Sequence, residues 1–474
     1  MTLRIVLTVF WKLFLYTDHL TVNPYSAPSI QASDALAPKN YRYEWYVVLV
    51  LAACYALSFV DRQILSLLVG PIKHDLHISD TRIGLLQGLA FSVLYTFMGL
   101  PLGRWADSAN RRNLVVAGVL AWSAFTASCS AAKSFLTLFL ARIGVGIGEA
   151  SLSPSTYSMV SDYFPRERFG VALSVLYMGV FVGSSLALMV GGTTVDLLAH
   201  TPQVTVPILG LIASWRLTFV IVGAPGILFA LLLFTVREPV RKGVLQIAGV
   251  QRLTLAEGMA QVRLRWQTVA GLALGMVFQS TCFYAFMSWA PAFLQRVHGW
   301  TAGQAGRALG LIVLIFGCLG MYAGGMLCDR WHRKGVVDGP VRVGIPSALG
   351  AGVLFVLAML APSAGWTLAF ACPAMFSLAL PMGTAVAALQ LIFPNQLRGQ
   401  VSALYLFILN LGGLTLGPLL PGVFNDYLFK NEKMIGPSVA ITIAGAAVLM
   451  LILFAATMRP YRAHYRLAQS DPAL

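Results

Sequence analysis

Four ionisable residues stand where a chain this apolar has least reason to keep them. They are Asp61 and Arg62 in SFVDRQIL, and Arg142 and Glu149 in ARIGVGIGEA. Charges at membrane depth are expensive; where retained they face a water-filled cavity or one another and mark the path of a substrate or a proton. A carboxylate there can take and release a proton as its hydration changes. A guanidinium can hold that carboxylate in one state and an anionic head group in another. The spacing of seven puts Arg142 and Glu149 on one helix face. At ~1.5 Å rise per residue, Arg142 lies about 10 Å and Glu149 about 20 Å from the outer end of their helix, with Asp61 about 15 Å below the outer end of its own. Asp61 is therefore expected to reach Arg142, leaving its neighbour Arg62 for another contact. This reading assigns proton coupling to Asp61, Glu149 and Arg142, and head-group binding to Arg62, Arg142 and Glu149. The alternative for each is a fixed buried pair that only orients two helices.

The elements that must carry these residues follow from composition. Apolar residues make up 58% of the 474, charged residues 11%, and mean hydropathy is +0.75. A soluble domain carries about 25% charge, so the outer surface here must face lipid. The net charge of +15 sits in short loops between apolar runs rather than on one solvated face, which excludes a nucleic-acid-binding role. Runs long enough to span a bilayer occur at 44–70, 82–103, 113–132, 135–161, 168–196, 216–236, 267–293, 304–328, 342–361, 366–392, 399–427 and 435–458. The predicted fold is all-α and polytopic, with twelve transmembrane helices. It divides into a tail (1–43), a first six-helix bundle (44–236), a basic linker with an amphipathic helix (237–266), a second bundle (267–458) and a second tail (459–474). Lys and Arg fall mostly in loops on the side of the two tails, which puts both termini in the cytoplasm. The six cysteines lie in or beside apolar runs, without Cys-x-x-Cys spacing, and read as free thiols. No Asn-x-Ser/Thr sequon occurs, and this with the compact chain points to a bacterial inner membrane.

The halves repeat. GRWADSANRR (103–112) after the second run matches GMLCDRWHRK (325–334) after the eighth. FPRERFG (164–170) after the fourth matches FPNQLRG (393–399) after the tenth, at nearly the same offset. Parallel repeats of this kind place a substrate between the halves near mid-membrane. The halves differ in polarity, however. The seventh and tenth runs hold no Asp, Glu, Lys or Arg. The seventh offers Gln279, Phe283 and Tyr284, the eleventh Asn410, and the fifth Tyr177. These are candidate substrate contacts, set against ordinary packing of aromatic side chains.

The loop GRWADSANRR and the stretch RIGVGIGEASLSP (142–154) resemble signatures of the major facilitator superfamily, with Asn110 where the loop motif usually has Gly. SFVDRQILSLLVGPIKHDL (58–76), SDTRIGLLQG (79–88), PLGRWAD (101–107) and SDYFP (161–165) together resemble the spinster family. The resemblance implies transport of lysophospholipids, sphingosine phosphate or related amphiphilic lipids, often linked to protons. Asp-Arg in the first run and Gly-Glu-Ala in the fourth also occur in organic-anion symporters, which keeps an organic anion or a drug as the alternative substrate. The loop motifs read as a gate built from Gly103, Asp107, Arg111, Arg112, Asp162, Asp329 and Arg333. In it Asp107 accepts from amides at the start of the eleventh helix and Arg111 pairs with Asp162, a contact expected to break when that side opens. An enzyme is not expected. His74, His77, His298, His332 and His464 fall in loops or tails, and the chain has no nucleotide loop, metal cluster or nucleophile–base pair. No cofactor is expected. The anticipated partners are the substrate, protons and membrane lipids, for a protein acting as a monomer.

Overall fold

The computed structural model describes residues 41–199, 203–206, 210–241 and 255–470. Twelve helices are long and apolar enough to cross a membrane: spans one to six are Arg42–Leu67, Asp80–Ser108, Arg111–Ala131, Phe135–Tyr163, Val171–Leu198 and Ser214–Leu233; spans seven to twelve are Trp266–His298, Ala302–Arg333, Gly339–Met359, Ala364–Ile392, Gln400–Phe429 and Glu432–Gln469. The protein is an all-α polytopic membrane protein. The tail expected at 1–43 and the linker residues 242–254 lie outside the described residues, apart from 41–43.

Local chemistry sets the ends. The Ser79 hydroxyl caps span two by accepting from the Arg82 amide, and Asn110 does the same for Asn113 at span three. Ser134 with Thr137, and Thr301 with Gln304, form reciprocal capping boxes at spans four and eight. Gly299, at φ 68°, ends span seven in the left-handed region. Two features were not foreseen. A two-stranded hairpin, β1 Gln203–Val206 paired antiparallel with β2 Gly210–Ala213, joins spans five and six. The segment from 459 is also not a loose tail, because the last helix runs from Ile435 to Ser470. At ~1.5 Å per residue it far exceeds the ~30 Å hydrocarbon core.

Within the first bundle, span one packs on five, and span four on two and three, with six against three. In the second, span seven packs on eleven and twelve, and ten on eight and nine. Call the face with Tyr41 and the span-twelve extension the tail face, and the opposite one the far face. Near the far face one apolar core runs through both bundles, from Ile64, Leu68 and Phe181 to Phe286, Phe293 and Phe355. Toward the tail face each bundle has a main core of its own, joined by a narrower contact in which Phe97 and Leu100 of span two meet Leu404 and Phe407 of span eleven. One is centred on Val48, Trp122 and Val160, the other on Leu272, Phe393 and Tyr461. The bundles thus share a broad core on one side and a narrower contact on the other.

Two glycines permit that broad core. A Cβ on Gly84 of span two would lie 2.6 Å from the Pro418 carbonyl of span eleven, and one on Gly192 of span five 2.6 Å from the Ala302 carbonyl of span eight. Backbone cannot yield as a flexible side chain does, and overpacking of this kind costs about 1–3 kcal/mol. Gly84→Ala should therefore push spans two and eleven apart at the far face. Cysteine cross-linking between the far ends of those two spans should slow, and an unchanged rate would contradict this account of the contact.

Candidate functional site

In spans four and ten the regular hydrogen-bond ladder loosens for a few residues, while the backbone at Ala150, Ser151, Leu380 and Gly383 stays right-handed helical. Span four is Phe135–Glu149 and Leu152–Tyr163, and span ten is Ala364–Ala379 and Thr384–Ile392. Glu149 is the last residue before the first loosened stretch. In span ten the corresponding region presents a carbonyl instead: Leu378 O accepts from Gln279 Nε2 of span seven at 2.9 Å.

Glu149 is paired with Arg62. Its Oε2 accepts from Arg62 Nε at 2.8 Å and lies 2.6 Å from Nη2, while Oε1 is buried without a partner. The Arg62 guanidinium is boxed by three rings, its carbon lying 4.7 Å from the centre of Phe59, 4.3 Å from Phe91 and 4.7 Å from Tyr95. Arginine stacks on ring faces while its edge donors stay free for an anion. Tyr284 of the second bundle closes the group, packing against the cores of both bundles and facing Arg62.

The expected Asp61–Arg142 side-chain pair does not form. Arg142 Nη1 donates to the backbone carbonyl of Asp61 at 3.0 Å, and Arg142 Nε has no partner. Both Asp61 carboxylate oxygens are buried with none. The reason is helical: neighbours differ in direction by ~100°. Arg62 faces span four and the second bundle. Asp61 turns into the interior of the first bundle, where Thr126 and Cys129 of span three lie beside it and Glu149 and Arg142 are the nearest charges.

The remaining candidates divide. Tyr177 is part of a belt of hydroxyls in the first bundle. Tyr55 donates to Ser153 Oγ at 2.8 Å, Tyr95 OH lies 3.4 Å from the same atom, and Tyr157 stacks near Tyr55 and Tyr177 at 6.4 and 5.7 Å. Asn410 is half-buried and makes no hydrogen bond among the described residues. Of the candidate substrate contacts on span seven, Gln279 is buried with its amide bonded to span ten, and Phe283 is buried in the apolar core that joins the bundles.

The tail-face motif also differs from expectation. Arg111 does pair with Asp162, at 2.5 Å, but it also reaches Glu238 at 2.7 Å, Ser158 at 2.8 Å and Pro239 O at 3.0 Å. The Arg112 amide donates to Glu238 at 3.0 Å. This network stays within the first bundle and is intact where the contact between the bundles is narrower, so it fastens spans three, four and six instead of latching the halves. The Asp107 carboxylate is exposed and makes no hydrogen bond to span eleven among the described residues. Arg241 binds the carbonyls of Ala106, Asp107 and Ala109 behind it. Gly103 has only Pro154 nearby, 3.7 Å from where a Cβ would sit. In the second repeat Asp329 and Arg333 are exposed and unpaired among the described residues, and Asp338 is the buried acid, accepting from Arg462 at 2.8 Å and from Arg342 at 3.3 Å.

The bonds that join the bundles cluster instead around a residue to which the sequence reading gave no role. Asp80, fully buried at the far end of span two, accepts from Arg296 of span seven at 2.8 and 2.9 Å, from Asn425 of span eleven at 2.6 Å and from Lys73 at 3.0 Å. Asp426 returns the contact by accepting from the Asp80 and Thr81 amides at 3.3 and 2.6 Å, a cap supplied to span two by span eleven. Lys73 also meets Glu432 at 2.7 Å, and Thr301 donates to Asp196 at 2.7 Å between spans eight and five. The available signal was the placement of Asp80, Arg296 and Asp426 at span ends on one face; their meeting depends on how the bundles tilt.

With this geometry in hand, comparison with known proteins is informative. The model of the Major Facilitator Superfamily matches residues 51–417. An MFS-type efflux pump of Mycolicibacterium smegmatis is 31% identical over 93% of this chain and 97% of its own length. A hexuronate transporter of Bacillus subtilis is 25% identical over 86% of this chain and 94% of its own. Among solved structures, a bacterial homologue of the human lysosomal transporter spinster, in an inward-facing and unoccupied conformation, superposes with a TM-score of 0.74 at 26% identity. That match covers 92% of this chain and all of the other.

Proposed function

Because this chain belongs to the major facilitator superfamily and is similar to its spinster-type members, we propose that it is a proton-linked secondary transporter of an amphiphilic anion, such as a lysophospholipid or sphingosine phosphate. It works by alternating access, as a monomer in a bacterial inner membrane with the tail face cytoplasmic. The observation that carries this reading is the Arg62–Glu149 pair, boxed by aromatic rings and facing the second bundle. An anionic head group that reaches Arg62 replaces Glu149 as its partner, and the displaced carboxylate takes up a proton. Asp61, buried without a donor, is the second proton site. Its position inside the first bundle separates proton binding from the substrate path. The apolar part of the ligand lies along Tyr284 and the aromatic residues of the second bundle, which carries no charge on spans seven and ten at this depth. The narrower contact between the bundles toward the tail face supports a conformation open to the cytoplasm.

One feature favours a second reading. The hydroxyl belt of Tyr55, Tyr95, Ser153, Tyr157 and Tyr177 offers more hydrogen-bonding groups than a lipid tail uses. It suits a hydroxylated organic anion, in keeping with the hexuronate transporter.

Uptake into proteoliposomes tests both. Lysophospholipids, sphingosine phosphate and a hexuronate are supplied with and without a proton gradient. The lipid substrates should accumulate only with the gradient, and Asp61→Asn should abolish gradient-driven accumulation while leaving substrate binding measurable. Undiminished gradient-driven transport by Asp61→Asn would remove the proton role. Transport of the hexuronate alone would replace the lipid with the organic anion.

A further inference from the structure

At the tail-face entrance to span seven one arginine has no acid to answer it among the described residues. Arg265 stands where the linker helix Leu255–Leu264 turns into the helix Trp266–His298, with φ −106° and ψ 15°. Its side chain is fully buried. Nη1 donates to the Gln261 carbonyl at 3.4 Å and to the Gln261 side-chain oxygen, whereas Nε and Nη2 meet no acceptor. The guanidinium lies over the Phe393 ring, 5.3 Å from its centre. Burial pulls its pKa below the usual guanidinium range, and no carboxylate offsets that effect. Arg111, equally buried, has Asp162 and Glu238. A buried guanidinium with two open donors calls for an anion.

The surroundings indicate which kind. Leu264 and Trp266, on either side of Arg265 in the chain, are 58% and 59% exposed. A tryptophan at a span end marks the head-group layer of the membrane, so Arg265 lies at that depth. The positive end of the span-seven helix dipole points to the same place. Thr268, one turn along, is buried with its hydroxyl 2.8 Å from Nδ1 of His464 on the span-twelve extension, and His464 is within electrostatic reach of Arg265.

We propose that Arg265, supported by Thr268 and His464, forms a phosphate-binding site at the membrane interface, taking either the phosphodiester of an anionic lipid head group or a free phosphate. Nε and Nη2 form one edge of the planar fork and match two oxygens of a tetrahedral phosphate. Gln261 of the linker helix holds Nη1, so a phosphate on Nε and Nη2 shares its guanidinium with the linker. Occupancy then pins the linker to spans seven and twelve. The linker joins the two bundles, so the site would make their relative freedom depend on lipid composition. The site is remote from Arg62 and Glu149 and stands whether or not the transport reading holds.

The test uses the full chain in nanodiscs, with no transport assay. Thermal stability and lipid retention by native mass spectrometry are compared in phosphatidylcholine alone, in phosphatidylcholine with phosphatidylglycerol, and in phosphatidylcholine with inorganic phosphate. Wild type should retain phosphatidylglycerol in preference and be stabilised by it. Arg265→Gln should lose that preference roughly tenfold or more, since a charge-assisted bidentate contact is removed. Arg265→Lys, which keeps the charge but not the fork, should fall between. Stabilisation by inorganic phosphate without a phosphatidylglycerol effect supports the site with the soluble ligand. Wild type indifferent to both, or Arg265→Gln with an undiminished phosphatidylglycerol preference, overturns the proposal; the wild-type arm decides even if the variant does not fold.

Discussion

Arg62→Ala should abolish transport and strongly destabilise the protein. Its loss leaves Glu149 fully buried with neither donor, and stranding one partner of a buried pair costs about 3–5 kcal/mol. Glu149→Gln should also stop transport but destabilise less, because Arg62 keeps its three aromatic neighbours and an amide oxygen can still accept from it. The informative variant is the double replacement Arg62→Leu with Glu149→Leu. Exchanging a buried pair for apolar side chains of similar size is often neutral or favourable, so the double variant should regain stability and remain inactive. Proteoliposome uptake and thermal denaturation on the same preparations separate the two effects. A stable double variant that transports at the wild-type rate would reduce the pair to packing.

The second large effect is expected at Asp80. Asp80→Ala removes the acceptor for Arg296, Asn425 and Lys73 together and loosens the span-two end that Asp426 caps. These contacts exist only while the far face is closed, so their loss is paid by the closed state alone. A differential of about 3–5 kcal/mol shifts a two-state ratio by roughly 10²–10³ or more. Spin-label distances between the far ends of spans two and eleven should move from one short population to a dominant long one, and Arg296→Ala should shift them in the same direction. An unchanged distribution in Asp80→Ala would show that the apolar core shared by the bundles closes this face unaided. By contrast Arg111→Ala should lower stability with little effect on these distances, since its partners Asp162 and Glu238 belong to its own bundle.

The loosened stretches in spans four and ten give these two effects a common frame. They occur at matching places in the two halves, yet one presents a carboxylate and the other a carbonyl fastened by Gln279. An ion pair at this place in one bundle is thus set against a neutral hydrogen bond in the other.

The sequence by itself determined the class, the twelve spans and where along them the four intramembrane charges stand. Each of these depends on one-dimensional quantities. Apolar run length is set by bilayer thickness, cation placement by loop position, and position along a span by helical rise. The expected span boundaries lie within a few residues of the helices in most cases, and the helices overran them where caps such as Ser79 and the span-twelve extension lie outside the apolar run. Partner choice was decided only by the tertiary structure. Depth placed Asp61 opposite Arg142, but azimuth gave Arg62 to Glu149 and left Arg142 with a backbone carbonyl. Helix rotation about its own axis is fixed by packing against neighbours, and no periodicity within a single span reports it. The same holds between bundles. Asp80, Arg296 and Asn425 are far apart in the chain and carry no shared motif, and they became one site because the bundles close at that end. The loop motif was legible as a pattern, but its service to one bundle rather than to a latch between two depended on which face was closed.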